Sequence, residues 1–116
     1  RMIDPLIVFN HIRSVKIEKS GEKRKYHLFA DVFWDAELTI GKSKQVVYDE
    51  LGERRIWTAE LVFSNAWLLF YTGRYSLEID ADTGIIIKFE WNTPKGHCRA
   101  TLDSGKNSPL PLPVCE

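Results

Sequence analysis

The sequence predicts a mainly β protein in which an antiparallel meander forms a small sandwich or a half-open barrel. Short runs of alternating apolar and polar residues, typical of strands with one buried face, are separated by tight turns. No stretch has the sustained helical periodicity that crossovers between parallel strands need. The length of 116 residues suits one domain, so we expect a single domain over residues 1–116.

The segment from Tyr75 to Trp91 has the clearest pattern and predicts a hairpin with a defined register. If Asp82-Thr83-Gly84 forms a three-residue loop, Gly84 takes the left-handed conformation that glycine adopts without steric cost. One face of this hairpin is then apolar and covers a core, and the other is mostly polar. The predicted cross-strand pairs are Ile79 with Ile87, Leu77 with Phe89, Tyr75 with Trp91 and, on the polar face, Glu78 with Lys88.

The N-terminal part is predicted to contain one short helix and two strands. In Asp4–His11, Pro5 suits the first helical turn after an Asp cap, although the β-branched residues make a strand nearly as favourable. His11–Lys19 alternates and predicts a strand. Lys25–Trp34 predicts one long strand that is apolar on both faces, which indicates a central strand or the wall of a cavity.

Further short strands are predicted along the middle of the chain. They lie at Glu37–Ile40, Gln45–Tyr48, Arg54–Ser64 and Trp67–Thr72. After Thr93 the strand pattern fades. Residues 105–116 form a Pro-rich extended tail, because Pro109, Pro111 and Pro113 exclude a central strand.

Charge and hydropathy exclude several partners. The 16 basic and 16 acidic residues cancel, so the chain lacks the positive field that drives nucleic-acid binding. No apolar run approaches the roughly 20 residues of a membrane span.

The N-terminus lacks the cleavage site of a signal peptide, so we expect a cytoplasmic protein. Cys98 and Cys115 are then predicted to be reduced thiols, and a disulfide that clamps the C-terminal tail is the alternative.

Metal and cofactor motifs are incomplete, so we expect neither kind of group. The pattern from Asp80 to Gly84 resembles the start of a calcium loop, yet Ile85 and Trp91 occupy the positions that need Gly and Glu. The three histidines do not have the spacing of a zinc site.

Two hypotheses of catalysis remain open. His27 and Asp31 would lie on one face of the predicted strand Lys25–Trp34, and either His27 or His97 is a candidate acid or base for a small hydrolase or nuclease. Trp34 beside Asp35 has the chemistry of a sugar-hydrolysing cleft, but the domain is small for one. An enzyme is therefore the less favoured interpretation.

Two charged turns and one aromatic position are the candidate binding residues. A basic turn and an acidic turn make the molecule dipolar, which suits the steering of a charged partner. An exposed Trp would anchor an interface. The candidate residues are Lys23, Arg24 and Lys25 in the basic turn, Asp49, Glu50 and Glu53 in the acidic turn, and Trp34 with Asp35.

The favoured function is non-enzymatic binding of another protein, as bacterial immunity or antitoxin-type proteins bind and neutralise a partner. The alternative is a carrier for a small apolar ligand, with Phe29 and Phe33 lining a cavity inside the strands. The third is the small hydrolase or nuclease that uses His27.

Overall fold

A computed structural model describes residues 4–17, 23–29, 33–49, 51–64, 72–102 and 109–116, of which residues 23–29, 33–35, 64 and 72 are described by their backbone alone. This part of the chain forms one helix and seven strands. They are α1 (Pro5–Ile12), β1 (Lys23–Phe29), β2 (Phe33–Tyr48), β3 (Gly52–Ser64), β4 (Thr72–Asp80), β5 (Ile86–Thr93), β6 (Gly96–Thr101) and β7 (Val114–Cys115).

The strands form one open antiparallel sheet in which each strand pairs with the next along the chain. The predicted mainly β antiparallel meander is therefore confirmed. The described strands belong to a single sheet, so they do not adopt the two-sheet form that a sandwich requires. The Cα radius of gyration of 14.0 Å is that of a compact domain of this length.

The strand registers assign each side chain to one of two faces, because directly paired residues point to the same side of a sheet. A row across the core face reads Ile40, Ala59, Leu77, Phe89 and Ala100. The adjacent row on the opposite side reads Thr39, Glu60, Ser76, Glu90 and Arg99. We call the side that carries this second row the polar face.

Helix α1 adds its apolar side chains to the core. The Asp4 carboxylate accepts a hydrogen bond from the Leu6 backbone N–H at 3.0 Å, and Pro5 opens the helix, so the helix predicted at Asp4–His11 is confirmed. Phe9 is buried, and its ring meets the edge of the Phe89 ring with the centroids 5.9 Å apart. The strand predicted at His11–Lys19 is wrong, because α1 continues through Ile12.

The long strand predicted at Lys25–Trp34 is also wrong. Phe29 ends β1 and lies directly opposite Phe33, where β2 begins, so the chain reverses between them. Strand β1 is at the edge of the sheet rather than at its centre. Phe29 and Phe33 are direct cross-strand partners in an edge hairpin, so the predicted central strand that supported a ligand-carrying cavity is not formed.

The middle strands differ from the prediction in continuity. The predicted strands Glu37–Ile40 and Gln45–Tyr48 are parts of β2, which is interrupted by a register shift between Ile40 and Ser43. The strand predicted at Arg54–Ser64 is confirmed as β3. For the strand predicted at Trp67–Thr72, residues 67–71 lie outside the described part.

The β4–β5 hairpin follows the predicted register except next to its turn. Leu77 faces Phe89 and Glu78 faces Lys88, as predicted. Ile79 faces Ile86 instead of Ile87, because a register shift next to Glu78 places one extra residue in β5. The extra residue does not disturb the core, since Ile86 and Ile87 are both buried.

The C-terminal segment returns to the sheet. Cys98 in β6 lies directly opposite Cys115 in β7, and the two form a disulfide. The predicted pair of reduced thiols is therefore wrong, because the sequence analysis did not find β6 and the pairing of the two cysteines depends on it. Upstream of β7, Leu110 is buried and its carbonyl accepts a 2.9 Å hydrogen bond from Nε of Arg13. Within the described residues, no helix has the length and apolar character needed to cross a membrane.

Candidate functional site

The structure spreads the predicted binding residues over separate parts of the sheet. Lys23, Arg24 and Lys25 open β1, where their backbones pair with Thr39, Leu38 and Glu37. Trp34 and Asp35 lie near the other end of the β1–β2 hairpin, opposite Leu28 and His27. The two groups therefore do not form one site.

The predicted acidic turn lies at the end of the β2–β3 hairpin. Tyr48 faces Gly52 across this turn, Asp49 is exposed within it, and Glu53 is exposed at the start of β3. Glu50 lies outside the described residues. The turn therefore presents the carboxylates of Asp49 and Glu53 to solvent.

The single strand on which His27 and Asp31 were predicted to share a face is not formed, because β1 ends at Phe29. The chain reverses between Phe29 and Phe33, and the backbone partner of His27 is Asp35. Asp31 lies outside the described residues. Among the tryptophans, Trp57 and Trp91 are buried, as expected for core packing.

The described residues line three clefts beside or on the polar face, and the sequence analysis predicted none of them as a site. The Ser76 cleft, of about 530 Å³, is lined by Thr39, Thr58, Glu60, Ser76, Glu78 and Glu90. The His97 cleft, of about 480 Å³, is lined by Arg74, Ser76, Glu90, Asn92 and His97. The Lys88 cleft, of about 430 Å³, is lined by Val47, Tyr48, Leu51, Lys88, Arg99, Thr101 and Leu102, and by Asp49 of the predicted acidic turn. The first two share Ser76 and Glu90, so they form a continuous surface.

Tyr48 connects the β2–β3 turn to the polar face. Its hydroxyl donates a 2.6 Å hydrogen bond to Oε1 of Glu78 on β4. Burial, and then the hydrogen bond and negative charge of Glu78, raise the pKa of Tyr48 well above its usual range. The phenol therefore stays protonated at neutral pH and keeps this donor.

His97 is held on both sides within its cleft. Its Nε2 lies 2.9 Å from Oε2 of Glu90, and its Nδ1 lies 2.8 Å from Oδ1 of Asn92. A general base needs a ring nitrogen that can reach a proton on the substrate. Because both ring nitrogens already have partners, this arrangement favours a structural role in the β5–β6 hairpin over acid–base catalysis.

Charged side chains of both signs are present on the polar face. Arg74 Nη1 lies 2.9 Å from Oε1 of Glu60, and Lys88 Nζ lies 3.8 Å from Oε2 of Glu90. The second distance is too long for a strong hydrogen bond. Glu90 is nevertheless the carboxylate nearest to Lys88, although the direct cross-strand partner of Lys88 is Glu78.

Comparisons of this chain with known protein families, with characterised proteins and with solved structures find no match. The site must therefore be judged by its own geometry. That geometry has two parts: a continuous polar surface across β2 to β6, and a cleft between the β2–β3 turn and strands β5 and β6 that meets this surface at Arg99.

Sequence reasoning missed this site for a specific reason. The alternation within the hairpin did place Ser76, Glu78, Lys88 and Glu90 on a polar side. Arg99 and Thr101 join them only through β6, a strand that the fading pattern after Thr93 concealed. The alternation of Cys98, Ala100 and Leu102, which are buried, is the signal that could have found it.

Proposed function

We propose that this protein is a non-enzymatic binding module that recognises another protein through the polar face. The observation that supports this most is the row of Thr39, Glu60, Ser76, Glu90 and Arg99, which crosses five strands beside adjoining clefts. Five strands span about 19 Å at the usual strand spacing. This width suits a protein surface, since a standard interface buries roughly 800 Å² on each partner.

The chemistry of the face also supports a protein partner. Arg and Tyr are enriched among residues that dominate interface energies. Arg99 ends the row through Ser76, Arg74 lines the adjoining His97 cleft, and Tyr48 bonds Glu78 beside the row. Charges of both signs favour one partner over others, because a misplaced partner meets like charges. Both ring nitrogens of His97 are occupied, so an enzymatic role has less support than binding.

The finer proposal is an immunity or antitoxin-type protein that neutralises its partner by direct binding. In that role, the polar face and the exposed carboxylates of Asp49 and Glu53 would cover the functional surface of a toxic enzyme that carries basic residues.

The test is affinity capture from the lysate of the native host with a matched pair of variants. Ser76 lies at the centre of the row and is exposed, so Ser76→Arg places a bulky cation where a partner must dock. Asn10→Arg is the control, because it adds the same side chain at an exposed position of α1, away from the row. We expect the wild type and Asn10→Arg to capture one stoichiometric partner, and Ser76→Arg to lose it.

Equal capture by both variants would exclude the polar face as the interface. If the partner is an enzyme, the wild type should also inhibit its activity at a molar ratio near one, and Ser76→Arg should not. A partner that keeps full activity in the complex would contradict the immunity-type role while leaving the binding role in place.

The cytoplasmic location predicted from the sequence belongs to this proposal, and the Cys98–Cys115 disulfide opposes it. Structural disulfides persist in oxidising compartments and are rare in the cytosol. Alkylation of thiols in intact cells, followed by a gel-shift assay, decides between the cytoplasm and an oxidising compartment. Labelling of both cysteines would support the cytoplasm, and protection until a reductant is added would support an oxidising compartment.

A further inference from the structure

We propose that the Lys88 cleft binds the oxyanion group, a carboxylate or a phosphate, of a small ligand with an apolar body. The cleft lies between the β2–β3 turn and strands β5 and β6, and it meets the row through Ser76, which we assign to a protein partner, only at Arg99. Its cationic side chains are Lys88 and Arg99.

The strand register brings the donors of the cleft together. Lys88 lies directly opposite Thr101 across the β5–β6 pair, and Arg99 precedes Thr101 by two residues, so all three side chains lie on the same face. Diagonal neighbours of this kind are about 7 Å apart at their backbones, and long side chains can converge from there. One oxyanion can therefore contact both cations.

Among the described residues, neither cation is engaged in a strong hydrogen bond. Lys88 Nζ is 3.8 Å from Glu90, and Arg99 Nη2 is 3.7 Å from Glu116. Both distances exceed those of charge-assisted hydrogen bonds, which are about 2.7–2.9 Å. Neither cation makes a shorter polar side-chain contact with any other described residue, so an incoming oxyanion would not have to displace a strong bond.

The neighbouring carboxylates have partners that reduce their competition for these cations. Glu78 accepts the 2.6 Å hydrogen bond of Tyr48, and Glu90 lies 2.9 Å from His97 Nε2. Asp49 is the carboxylate that lines the cleft itself, and it is exposed in the β2–β3 turn, where water screens its charge. Asp49 is therefore the one acid in the cleft lining, while Glu90 and Glu116 lie 3.8 Å and 3.7 Å from Lys88 and Arg99.

The remaining wall of the cleft is apolar, so the rest of the ligand should be apolar as well. Val47 and Leu51 approach from the turn, and Leu102 lies at the end of β6. A volume of about 430 Å³ is within the range of small-molecule sites. An aromatic carboxylate meets both requirements, because its ring can contact these side chains while its charge contacts Lys88 and Arg99.

The test is a titration of the isotopically labelled protein with benzoate, followed by NMR chemical shifts. Benzamide is the neutral control, and acetate and inorganic phosphate supply the anion without the ring. We expect saturable benzoate binding with shifts centred on Lys88, Arg99 and Thr101, weaker binding of acetate and phosphate, and no saturable binding of benzamide.

Matched variants test the role of each group. Lys88→Gln and Arg99→Gln should each weaken benzoate binding roughly tenfold or more, as expected for the loss of a charge-assisted hydrogen bond. Lys95→Gln and Arg54→Gln remove the same charges at exposed positions outside the cleft and should leave binding unchanged. Lys88→Arg keeps the charge and should retain binding. The amide spectrum of each variant reports whether it is folded.

Three results would overturn the proposal: benzoate does not saturate, the shifts centre elsewhere, or the control variants lose as much affinity as the cleft variants. Leu51→Ser separates the two parts of the ligand. It should weaken benzoate and leave phosphate unchanged, and an unchanged affinity for benzoate would contradict the apolar body. Because Ser76→Arg lies outside this cleft, failure of the protein-binding proposal and failure of this one are distinguishable.

Discussion

Tyr48 on β2 and Glu78 on β4 are joined by a 2.6 Å hydrogen bond, although strand β3 lies between their strands. Tyr48 pairs with Gly52 of β3, whereas Glu78 pairs with Thr58. Six residues of a straight strand would separate these positions by about 20 Å. The hairpin of β2 and β3 must therefore bend so that its turn approaches the polar face.

The register shift in β2 accounts for this bend. It falls between Ile40 and Ser43, which pair with Ala59 and Trp57 of β3. Extra residues in one strand of an antiparallel pair increase the local twist and bend the strand. The bend brings Val47 and Leu51 next to Lys88 and Arg99, so the Lys88 cleft exists because of this irregularity.

Tyr48→Phe tests how much the hydrogen bond contributes. The variant keeps the ring but removes the donor to Glu78, so we expect the free energy of unfolding to fall by about 1–2 kcal/mol. Urea denaturation followed by circular dichroism measures the change. Glu78→Ala, which removes the acceptor, alone and in the same background, completes a double-mutant cycle. A coupling energy near zero would show that the bond does not hold the turn in place.

Unlike Tyr48→Phe, the substitution Tyr75→Phe should not lower the free energy of unfolding. Tyr75 is 1% exposed, and its hydroxyl has no hydrogen-bond partner among the described residues. Its ring stacks on Phe89 with the centroids 5.4 Å apart, and phenylalanine retains this contact. Removing an unpaired buried hydroxyl should leave stability unchanged or raise it by about 1–2 kcal/mol. A loss of more than about 1 kcal/mol in urea denaturation would indicate a hidden partner for the hydroxyl.

The two tyrosines also predict how stability depends on alkaline pH. Burial raises the pKa of both phenols, with the charge of Glu78 adding to the effect at Tyr48 and that of Asp4 at Tyr75. An unfolded tyrosine ionises near pH 10. Above that pH the unfolded state releases protons that the folded state still holds, so the contribution of each phenol to stability decreases as pH rises.

Urea midpoints between pH 8 and pH 11 test this dependence, and the Tyr48→Phe/Tyr75→Phe double variant is the control. We expect the wild type to lose more stability than the double variant above about pH 10. Identical pH profiles would mean that the pKa of each phenol is the same in the folded protein as in the unfolded chain.

The contrast between two hairpins explains which parts of the fold were predictable. The β4–β5 hairpin carries Gly84 in its turn and a clean alternation on both sides. The β1–β2 hairpin has Ala30-Asp31-Val32 between its strands, without Gly, Pro or Asn, so the alternation continues across the turn. The sequence therefore predicted one long strand where the chain reverses.

The candidate site was less predictable than the fold, because it depends on contacts between distant strands. Alternation identifies which residues of one strand are polar, but it does not align that strand with its neighbours. Lys88 and Arg99 belong to different strands, and Val47 reaches them only through the bend in β2. The charged turns were visible from the sequence because each is a local cluster of neighbouring residues.

Loss of the disulfide should destabilise the protein. Cys98 and Cys115 are 17 residues apart, and closing a loop of that length is worth about 3 kcal/mol through the entropy of the unfolded chain. The variant Cys98→Ser/Cys115→Ser should therefore unfold at a lower urea concentration than the oxidised wild type. The wild type in excess dithiothreitol should match the variant. If reductant leaves the midpoint unchanged in the wild type, the disulfide is not formed in solution.

Gly84 and Gly52 form a matched pair for testing the packing of the β4–β5 turn. Both have a left-handed backbone, with φ of +79° and +76°, so alanine costs about 1–2 kcal/mol at either position. A Cβ atom at Gly84 would lie 2.4 Å from the Ile17 carbonyl oxygen, whereas one at Gly52 meets no atom within 4 Å.

The Ile17 backbone cannot easily move away, because its N–H donates a 2.8 Å hydrogen bond to the Gly84 carbonyl and Lys16 bridges to Ile85. Gly84→Ala should therefore cost roughly 1–3 kcal/mol more than Gly52→Ala, as overpacked sites do. Urea denaturation of the two variants measures this difference directly. Equal losses would mean that the segment after α1 is not held against the β4–β5 turn.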